Sequence, residues 1–269
     1  MTIQPSSATA AASSIPAPSL SIVVPAYNEA ASVGDTVAGI RATMGIHGVP
    51  YTLILVDDGS TDETPMRLAA LAAEYFATTC VVTHSRNLGL GRAIASGYAA
   101  ATTDWVGWLP ADGQFSAEDL YTLYAACAGK DAVIGHVRTT ARGRADNLSR
   151  VVISCVSRVI MRLLHPRMPR FNGVMVVRRD LIAAERLVCH TGFINMEILD
   201  RIRRGPTDRS IGEREVSVVP RKNGYSKVAN LRTTFAVLYD LWALRLDYLI
   251  RGPNEASGSL VEPKEQQDE

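Results

Sequence analysis

The feature that most constrains the fold is a regular alternation of short apolar segments with longer segments of helical periodicity. Five apolar runs, most of them rich in β-branched residues, predict buried strands: Leu20–Pro25, Tyr51–Asp57, Cys80–His84, Trp105–Leu109 and Asp131–His136. Helical patterns separate these runs: about Glu29 to Met44, a segment with Pro65 in its first turn, Gly89–Ala101, and a segment from Ser116 through Cys127. This alternation predicts an α/β fold, with a mostly parallel central sheet and helices on both faces.

Polar side chains follow the ends of the predicted strands. They are Tyr27, Asn28, Glu29, Asp57, Asp58, Asn87 and Asp112. Ligands bind at the carboxyl ends of the strands in sheets of this kind, so we expect a site there. The Asp57-Asp58 pair can accept hydrogen bonds from a ribose or a base. It can equally form an Asx-turn that caps the next helix.

Two further loops narrow the class of ligand. Ser85–Gly91 (SRNLGLG) enters a helix through glycines, but it is not a G-x-G-x-x-G fingerprint, and the chain has no Walker G-K-S/T motif. These absences disfavour a nicotinamide dehydrogenase. Asp112 and Gln114 follow the fourth strand, and their carboxylate and amide oxygens can face one hard cation.

The net charge and the spacing of the cysteines argue against a nucleic-acid-binding protein, a zinc protein and a disulfide-stabilised protein. With 28 basic and 27 acidic residues the net charge is +1, which argues against a nucleic-acid partner. The basic residues cluster locally, because residues 138–170 hold eight Arg and a single acid, Asp146. Such a patch suits phosphates or an anionic membrane surface, or it forms a solvated face. The four cysteines are far apart and form no C-x-x-C pair, which indicates neither zinc nor disulfides and fits a reducing cytoplasm.

The ends of the chain differ from its centre. Residues 1–19 carry no charge and no signal-peptide pattern, and 252–269 carry five acids and one Lys, so we expect a flexible tail at each end. Residues 20–230 form one domain, and 231–251 form an amphipathic helix too polar to span a membrane. Its apolar face holds Leu231, Phe235, Leu238, Trp242, Leu246 and Leu249, and its polar face holds Arg232, Asp240, Asp247 and Arg251. This helix either packs on the domain or lies in the membrane interface.

Four motifs together resemble the family 2 glycosyltransferases, which have a nucleotide-sugar-binding fold of the GT-A type. They are Val24–Glu29 (VPAYNE), Val56–Asp62 (VDDGSTD), Asn87–Ala93 (NLGLGRA) and Ala111–Gln114 (ADGQ). Their order and spacing are similar to those of the family over residues 20–230. Within the family, later segments resemble most the dolichol- or polyprenyl-phosphate sugar synthases: Gly135–Arg138, Arg150 with Ser154, Asn195–Leu199, and Arg221–Lys227. One position departs from the pattern, because Pro110 stands where the family usually carries an acid.

The resemblance implies an inverting glycosyltransferase that moves a sugar from a nucleotide-diphosphate sugar to a polyprenyl or dolichyl phosphate. It implies substrate-binding roles for Pro25, Tyr27, Glu29, Asp57, Asp58, Asn87, Ser154, Glu197, Ser226 and Lys227. Asp112 and Gln114 would bind Mg²⁺ or Mn²⁺, and Asp112, Arg138, Arg150 and Arg221 would be the catalytic residues, with the arginines on the acceptor phosphate.

Two alternatives stay open beside this reading. The first is a family 2 enzyme with a hydroxyl acceptor and with Glu197 as its base. If Glu197 does not act as a base, we expect it to position a nearby loop. The second is a non-catalytic nucleotide-sugar-binding protein, which the missing acid at Pro110 would explain. The expected location is the cytoplasm, or the cytoplasmic face of the membrane through the lipid surface or a membrane partner protein. No nucleic-acid partner is expected.

Overall fold

The computed structural model describes residues 19–137, 173–182, 186–204, 209–218 and 231–256. These residues form seven strands: β1 (Leu20–Ala26), β2 (Tyr51–Asp57), β3 (Thr79–Thr83), β4 (Trp105–Trp108), β5 (Ala132–Val137), β6 (Met175–Arg178) and β7 (Ile211–Val216). They also form six α-helices: α1 (Val33–Ile46), α2 (Thr64–Glu74), α3 (Leu90–Ala100), α4 (Ala117–Ala125), α5 (Ile194–Arg204) and α6 (Leu231–Ala256). A single 3₁₀ turn, Arg179–Leu181, follows β6.

All seven strands belong to one sheet, in the order β3-β2-β1-β4-β6-β5-β7. Neighbouring pairs are parallel except where β6 meets β4 and β5, so β6 alone among the described strands runs in the opposite direction. The predicted mostly parallel sheet is therefore confirmed. We call the side on which the six parallel strands end the carboxyl edge of the sheet.

The strand order places a crevice at the carboxyl end of β1. The chain moves from β1 outwards to β2 and β3, and then returns through α3 to β4 on the other side of β1. Right-handed crossovers put α3 on the face opposite to α1 and α2. All seven residues of β1 are buried, as expected for a central strand covered on both faces. A reversal of strand order of this kind is where open α/β sheets bind ligands.

Two glycines set how closely the helices approach the sheet. A Cβ on Gly97 of α3 would lie 2.2 Å from a methyl group of Val23 in β1. A Cβ on Gly107 of β4 would lie 3.0 Å from Leu120 of α4. The Ala- and Gly-rich composition of α3 thus lets this helix lie directly on the central strand.

The predicted elements agree with the structure within about five residues, and the largest differences are at the start of α1 and at the end of α6. The sequence pattern predicts a helix from about Glu29, but α1 begins at Val33. Ser32 explains the delay, because its N–H donates to the Glu29 carbonyl (3.0 Å) and its hydroxyl to Glu29 Oε2 (2.9 Å). This turn uses the residues that would have formed the first helical turn. At the other end of the chain, α6 extends to Ala256 and so includes the first residues of the predicted acidic tail.

The orientation of α6 differs from the one its apolar pattern suggests. The buried residues of this helix include Asp240, Leu241, Leu244, Asp247 and Tyr248. Of the predicted apolar face, Phe235, Trp242, Leu246 and Leu249 are exposed, with Trp242 at 64%, whereas Leu238 is half-buried against the core. The side chain of Leu231 lies outside the described part of the chain. The helix therefore packs on the domain through the face that holds both of its central carboxylates. Among the residues that the model describes, no helix is long and apolar enough to cross a bilayer.

Candidate active site

The loop after β1 is held by hydrogen bonds to the loop after β2. Asn28 adopts a positive φ of 54°, a conformation that asparagine tolerates better than most residues. Its N–H donates to Ser60 Oγ (3.0 Å), and its side-chain oxygen accepts from the Thr61 N–H (2.8 Å). The Glu29 N–H donates to Thr64 Oγ1 (2.8 Å). Tyr27 and Glu29 are thereby fixed beside the Asp57–Asp62 turn.

Asp57 ends β2 and is nearly inaccessible. Its Oδ1 accepts a hydrogen bond from the Ser60 N–H (2.9 Å), which is the Asx-turn that the sequence allows. Gly59 follows with a φ of 68°, and a Cβ there would lie 2.3 Å from the backbone carbonyl carbon of Arg86. The loops after β2 and β3 are therefore in direct backbone contact, which requires glycine.

Asp58 fixes the loop after β3. Its carboxylate oxygens accept from the N–H groups of Leu88 (2.9 Å) and Gly89 (2.9 Å), and from Nδ1 of His84 (2.8 Å). The other ring nitrogen of His84 lies 2.9 Å from Ser96 Oγ on α3. Because a carboxylate only accepts hydrogen bonds, the Nδ1 of His84 carries a proton. The Asp58 side chain is 4% exposed, so its role in this geometry is to position Asn87 and the glycine loop.

Asp112 follows β4 at the same edge of the sheet. The Ala111 N–H donates to the carbonyl of Pro25 (3.3 Å), and Thr36 Oγ1 of α1 donates to the carbonyl of Ala111 (3.1 Å). Asp112 Oδ1 then accepts from the Gln114 N–H (3.0 Å). These bonds place the Asp112-Gly113-Gln114 turn directly beside the carboxyl end of β1.

The segment before α5 forms the wall next to the glycine loop. The carbonyl of His190 accepts from the Gly91 N–H (3.0 Å), and Arg92 Nε lies 3.2 Å from His190 Nδ1. A Cβ on Gly91 would lie 2.4 Å from the carbonyl oxygen of Thr191. Gly91 is therefore needed for close backbone approach at the start of α3.

Glu197 holds this wall from inside the protein. It is fully buried, and its carboxylate accepts from the N–H groups of Val188 (3.0 Å) and Cys189 (2.8 Å) and from Arg201 Nη2 (2.7 Å). Arg201 also donates to Asp247 of α6 (2.9 Å). Burial by itself would lower the pKa of Arg201, but the contacts with Glu197 and Asp247 raise it above its usual value. Glu197 is therefore committed to the loop and is poorly placed to take a proton from a hydroxyl acceptor.

Asp240 on α6 is a second buried anchor of the same segment. Its oxygens accept from the N–H groups of His190 (3.0 Å) and Thr191 (2.9 Å) and from Thr191 Oγ1 (2.7 Å). Sequence analysis places Asp240 only on the polar face of an amphipathic helix and does not find this role. The sequence feature that could have indicated this role is the position of the carboxylate, because Asp240 lies between Tyr239 and Leu241 in the most apolar long segment of the chain.

The predicted site residues divide into three groups. Those at or beside the carboxyl edge are Pro25, Tyr27, Glu29, Asp57, Asp58, Asn87, Asp112 and Gln114. Glu197 lies behind the wall segment, in the first turn of α5. The remainder lie outside the described residues: Arg138, Arg150, Ser154, Arg221, Ser226 and Lys227. The predicted helix over 150–164 lies outside them as well.

Oxygen ligands for a hard cation are available but few. Asp112 offers a carboxylate and Gln114 an amide oxygen, whereas Pro110 supplies no ligand. Across the described part of the chain, no three His, Cys, Asp or Glu side chains are grouped so as to hold a metal ion. This donor set fits Mg²⁺ or Mn²⁺ if diphosphate oxygens and water complete the coordination, as Mg²⁺ sites with few protein ligands usually do.

Comparison with solved structures gives the same fold. Glucosyl-3-phosphoglycerate synthase from Mycobacterium tuberculosis, crystallised with Mn²⁺, UDP and phosphoglyceric acid, aligns with a TM-score of 0.61 and 21% identity. The alignment covers 85% of this chain and 79% of that one. A crystal of the same enzyme contains Mg²⁺ and UDP. At this level of identity the likeness establishes a GT-A fold.

Sequence comparison identifies the family. Two similar proteins are undecaprenyl-phosphate 4-deoxy-4-formamido-L-arabinose transferases. The one from Enterobacter sp. (strain 638) is 31% identical over 227 residues, and the one from Yersinia enterocolitica is 29% identical over 241. These alignments cover 82% and 89% of this chain, which spans 66% and 73% of the relatives' own lengths. The model of glycosyl transferase family 2 matches residues 21–202, more than half of the chain. The chain therefore belongs to glycosyl transferase family 2.

Proposed function

We propose that the protein is an inverting glycosyltransferase that moves a sugar from a nucleotide-diphosphate sugar to a polyprenyl or dolichyl phosphate. The observation that supports the lipid acceptor most is the similarity, over most of this chain, to transferases named for undecaprenyl phosphate. A phosphate acceptor is already anionic near neutral pH, so it needs no general base. The buried network around Glu197 supports this acceptor, because a carboxylate already bound to the Cys189 N–H and to Arg201 is a poor base for the hydroxyl-acceptor alternative.

The donor would bind across the carboxyl edge of β1, β2 and β4. Tyr27, Glu29 and Asp57 would contact the nucleoside, because the loops after β1 and β2 are joined by hydrogen bonds. Pro25 and Asn87 would line the same site. Asp58 would act indirectly by holding the glycine loop, since its carboxylate already accepts three hydrogen bonds.

Asp112 and Gln114 would hold Mg²⁺ or Mn²⁺ against the diphosphate of the donor. The metal would neutralise the negative charge that develops on the leaving nucleoside diphosphate. The turn that carries both residues is fixed to β1 and α1 through Ala111, so their position does not depend on the ligand. Pro110 predicts weak metal affinity in the absence of the donor.

The acceptor phosphate would attack the anomeric carbon on the side opposite to the leaving group. A bond forms between a phosphate oxygen and this carbon while the bond from the carbon to the nucleoside diphosphate breaks. Arg138, Arg150 and Arg221 would bind the acceptor phosphate, with a hydroxyl from Ser154. Arginine suits this task because its planar fork can donate two parallel hydrogen bonds to a phosphate. Ser226 and Lys227 would complete the substrate contacts.

The test is transfer of radiolabelled sugar from a panel of nucleotide-diphosphate sugars into a butanol-extractable lipid. Loss of one charge-assisted contact costs roughly 1.5–3 kcal/mol, so Arg150→Ala should reduce transfer about ten-fold or more. It should leave donor affinity by calorimetry unchanged. Arg150→Lys should restore only part of the activity, and Arg167→Ala is the matched control. An equal loss of donor binding in Arg150→Ala would assign this arginine to the diphosphate instead.

Pro110 favours a second candidate, a protein that binds nucleotide sugars without turnover. Half of the acidic pair expected after β4 is missing. Donor binding by calorimetry without transfer to any polyprenyl phosphate would support this candidate. Transfer to the lipid would exclude it. For the transferase, the proposed location is the cytoplasmic face of the membrane, reached through the lipid surface or through a membrane partner protein.

A further inference from the structure

The outward face of α6 carries a continuous row of large apolar side chains. We define this apolar row as Phe235, Tyr239, Trp242, Leu246, Leu249 and Ile250. Each of the six is between 55% and 74% exposed. They are three or four residues apart except for the last pair, so they share one side of the helix. Contiguous exposed apolar surface of this kind marks an interaction site rather than a water-facing surface.

A helix that packs its apolar face on the core exposes its charged side chains. The helix α6 does the reverse, because its carboxylates are buried. Between residues 235 and 250 the charged side chains are Asp240, Arg245 and Asp247. Both carboxylates are buried and accept hydrogen bonds from inside the domain: Asp240 from the segment before α5, and Asp247 from Arg201. Over residues 235–250 the outward side therefore carries no acid, and Arg245 lies half-buried at its margin.

We propose that the apolar row of α6 docks on the surface of a lipid bilayer that contains anionic lipids. The proposal rests on the proposed function, because a lipid acceptor requires the protein to work at a membrane. Trp242 and Tyr239 suit the headgroup region, since each combines an apolar ring with a polar group. The absence of outward carboxylates and the adjacent Arg245 match a negative surface. The helix would lie in the plane of the interface without spanning the bilayer.

Hydrogen bonds connect α6, through the segment before α5, to the start of α3 and so to the loop after β3 in the proposed donor site. On the inner side, Asp240 binds the backbone of His190 and Thr191, and the carbonyl of His190 binds Gly91 at the start of α3. Gly91 lies in the first turn of α3, directly after the loop that Asp58 positions beside the carboxyl edge. The docked helix would thus hold the wall of the donor site at a fixed position relative to the lipid surface.

The test measures vesicle binding by the full chain in the absence of donor and acceptor. Vesicles of phosphatidylcholine and phosphatidylglycerol are compared with vesicles of phosphatidylcholine alone. The double variant Trp242→Gln/Leu246→Gln removes the centre of the apolar row and should bind about ten-fold more weakly or worse. The matched control is Phe76→Gln/Met66→Gln, which changes two apolar residues in or next to α2 that are at least as exposed, and it should bind like the wild type.

Trp242 also permits a measurement that needs no substitution. Vesicles with brominated acyl chains should quench the fluorescence of the wild type, because Trp242 is exposed, whereas Trp108 is buried and Trp105 is half-buried against the core. Equal vesicle binding by the two double variants, or no quenching, would overturn the proposal. A dimer that dissociates in Trp242→Gln/Leu246→Gln without any vesicle binding would identify a second copy of the chain as the occupant. Vesicle binding without sugar transfer would refute only the proposed function, whereas transfer to detergent-dispersed lipid without vesicle binding would refute only the docking.

Discussion

Asp58→Asn tests whether the carboxylate of Asp58 holds the loop after β3 in place. In the native geometry Oδ1 accepts from Leu88 and His84, and Oδ2 accepts from Gly89. Asparagine keeps one acceptor oxygen and turns its NH₂ group towards at least one of these donors. A buried N–H without a partner costs about 1–3 kcal/mol, and weakening the charge-assisted bond to His84 adds about 1 kcal/mol. The free energy of unfolding should therefore fall by about 2–4 kcal/mol.

The measurement is urea unfolding followed by tryptophan fluorescence, with donor binding by calorimetry beside it. The matched control is Asp35→Asn, because Asp35 is an exposed acid in the first turn of α1. Loss of its favourable interaction with the helix dipole should cost only about 0.3–1 kcal/mol. Donor affinity should fall in Asp58→Asn, since the loop before α3 loses its anchor. If Asp58→Asn is as stable as the control yet loses donor binding, the carboxylate contacts the ligand and the anchoring argument is refuted.

Three further predictions concern the Asp112-Gly113-Gln114 turn and Asp62, which precedes α2. Asp112→Asn is nearly isosteric, so the melting temperature should hold while metal-dependent donor binding is lost; equal donor affinity with and without EDTA in both proteins would remove Asp112 as a ligand. Pro110→Asp should lower the Mn²⁺ concentration needed for half-maximal transfer, and wild-type activity that needs no metal would contradict the metal-assisted mechanism. Burial of Asp62 tends to raise the pKa of its carboxyl, but hydrogen bonds from Thr64 and Ala30 bring this pKa below its usual value. The contribution of Asp62 to stability is therefore present above the usual pKa and is lost as the pH falls through the lowered one. The difference in unfolding free energy between the wild type and Asp62→Asn should therefore be largest near neutral pH and close in strong acid, and a gap that stays constant with pH would refute this reading.

The central strands could be predicted because their composition alone determines them. β2 matches its predicted bounds, Tyr51–Asp57, and β1 extends only to Ala26 beyond the predicted Pro25. Both are short runs rich in β-branched and aliphatic residues and bounded by turn residues, as is typical of strands buried on two faces. By contrast, β6 and β7 are not predicted: β6 has four residues, and β7 (IGEREV) alternates charges on a largely exposed strand.

The roles of the buried carboxylates could not be predicted from sequence. Asp58 binds Leu88 and Gly89, thirty residues away, and Asp240 binds Thr191 across 49 positions. Such contacts depend on how strands and helices are assembled, which local patterns do not encode. Periodicity shows that α6 has an apolar face, but it cannot decide which face packs on the domain. Tertiary contacts made by Asp240 and Asp247 decide that question.

The reversed direction of β6 has a consequence for how this domain can vary. β5 ends at Val137 and β6 begins at Met175, and because the two strands are antiparallel, the chain leaves and re-enters the sheet on the same side. That side is the carboxyl edge of the sheet, where the loops after β1, β2, β3 and β4 begin. An insertion or a deletion between these two points would change neither the order of the strands nor the register of β5 against β6. The segment between them can therefore change in sequence and length while the half of the sheet that carries the loops after β1, β2 and β4 stays as it is.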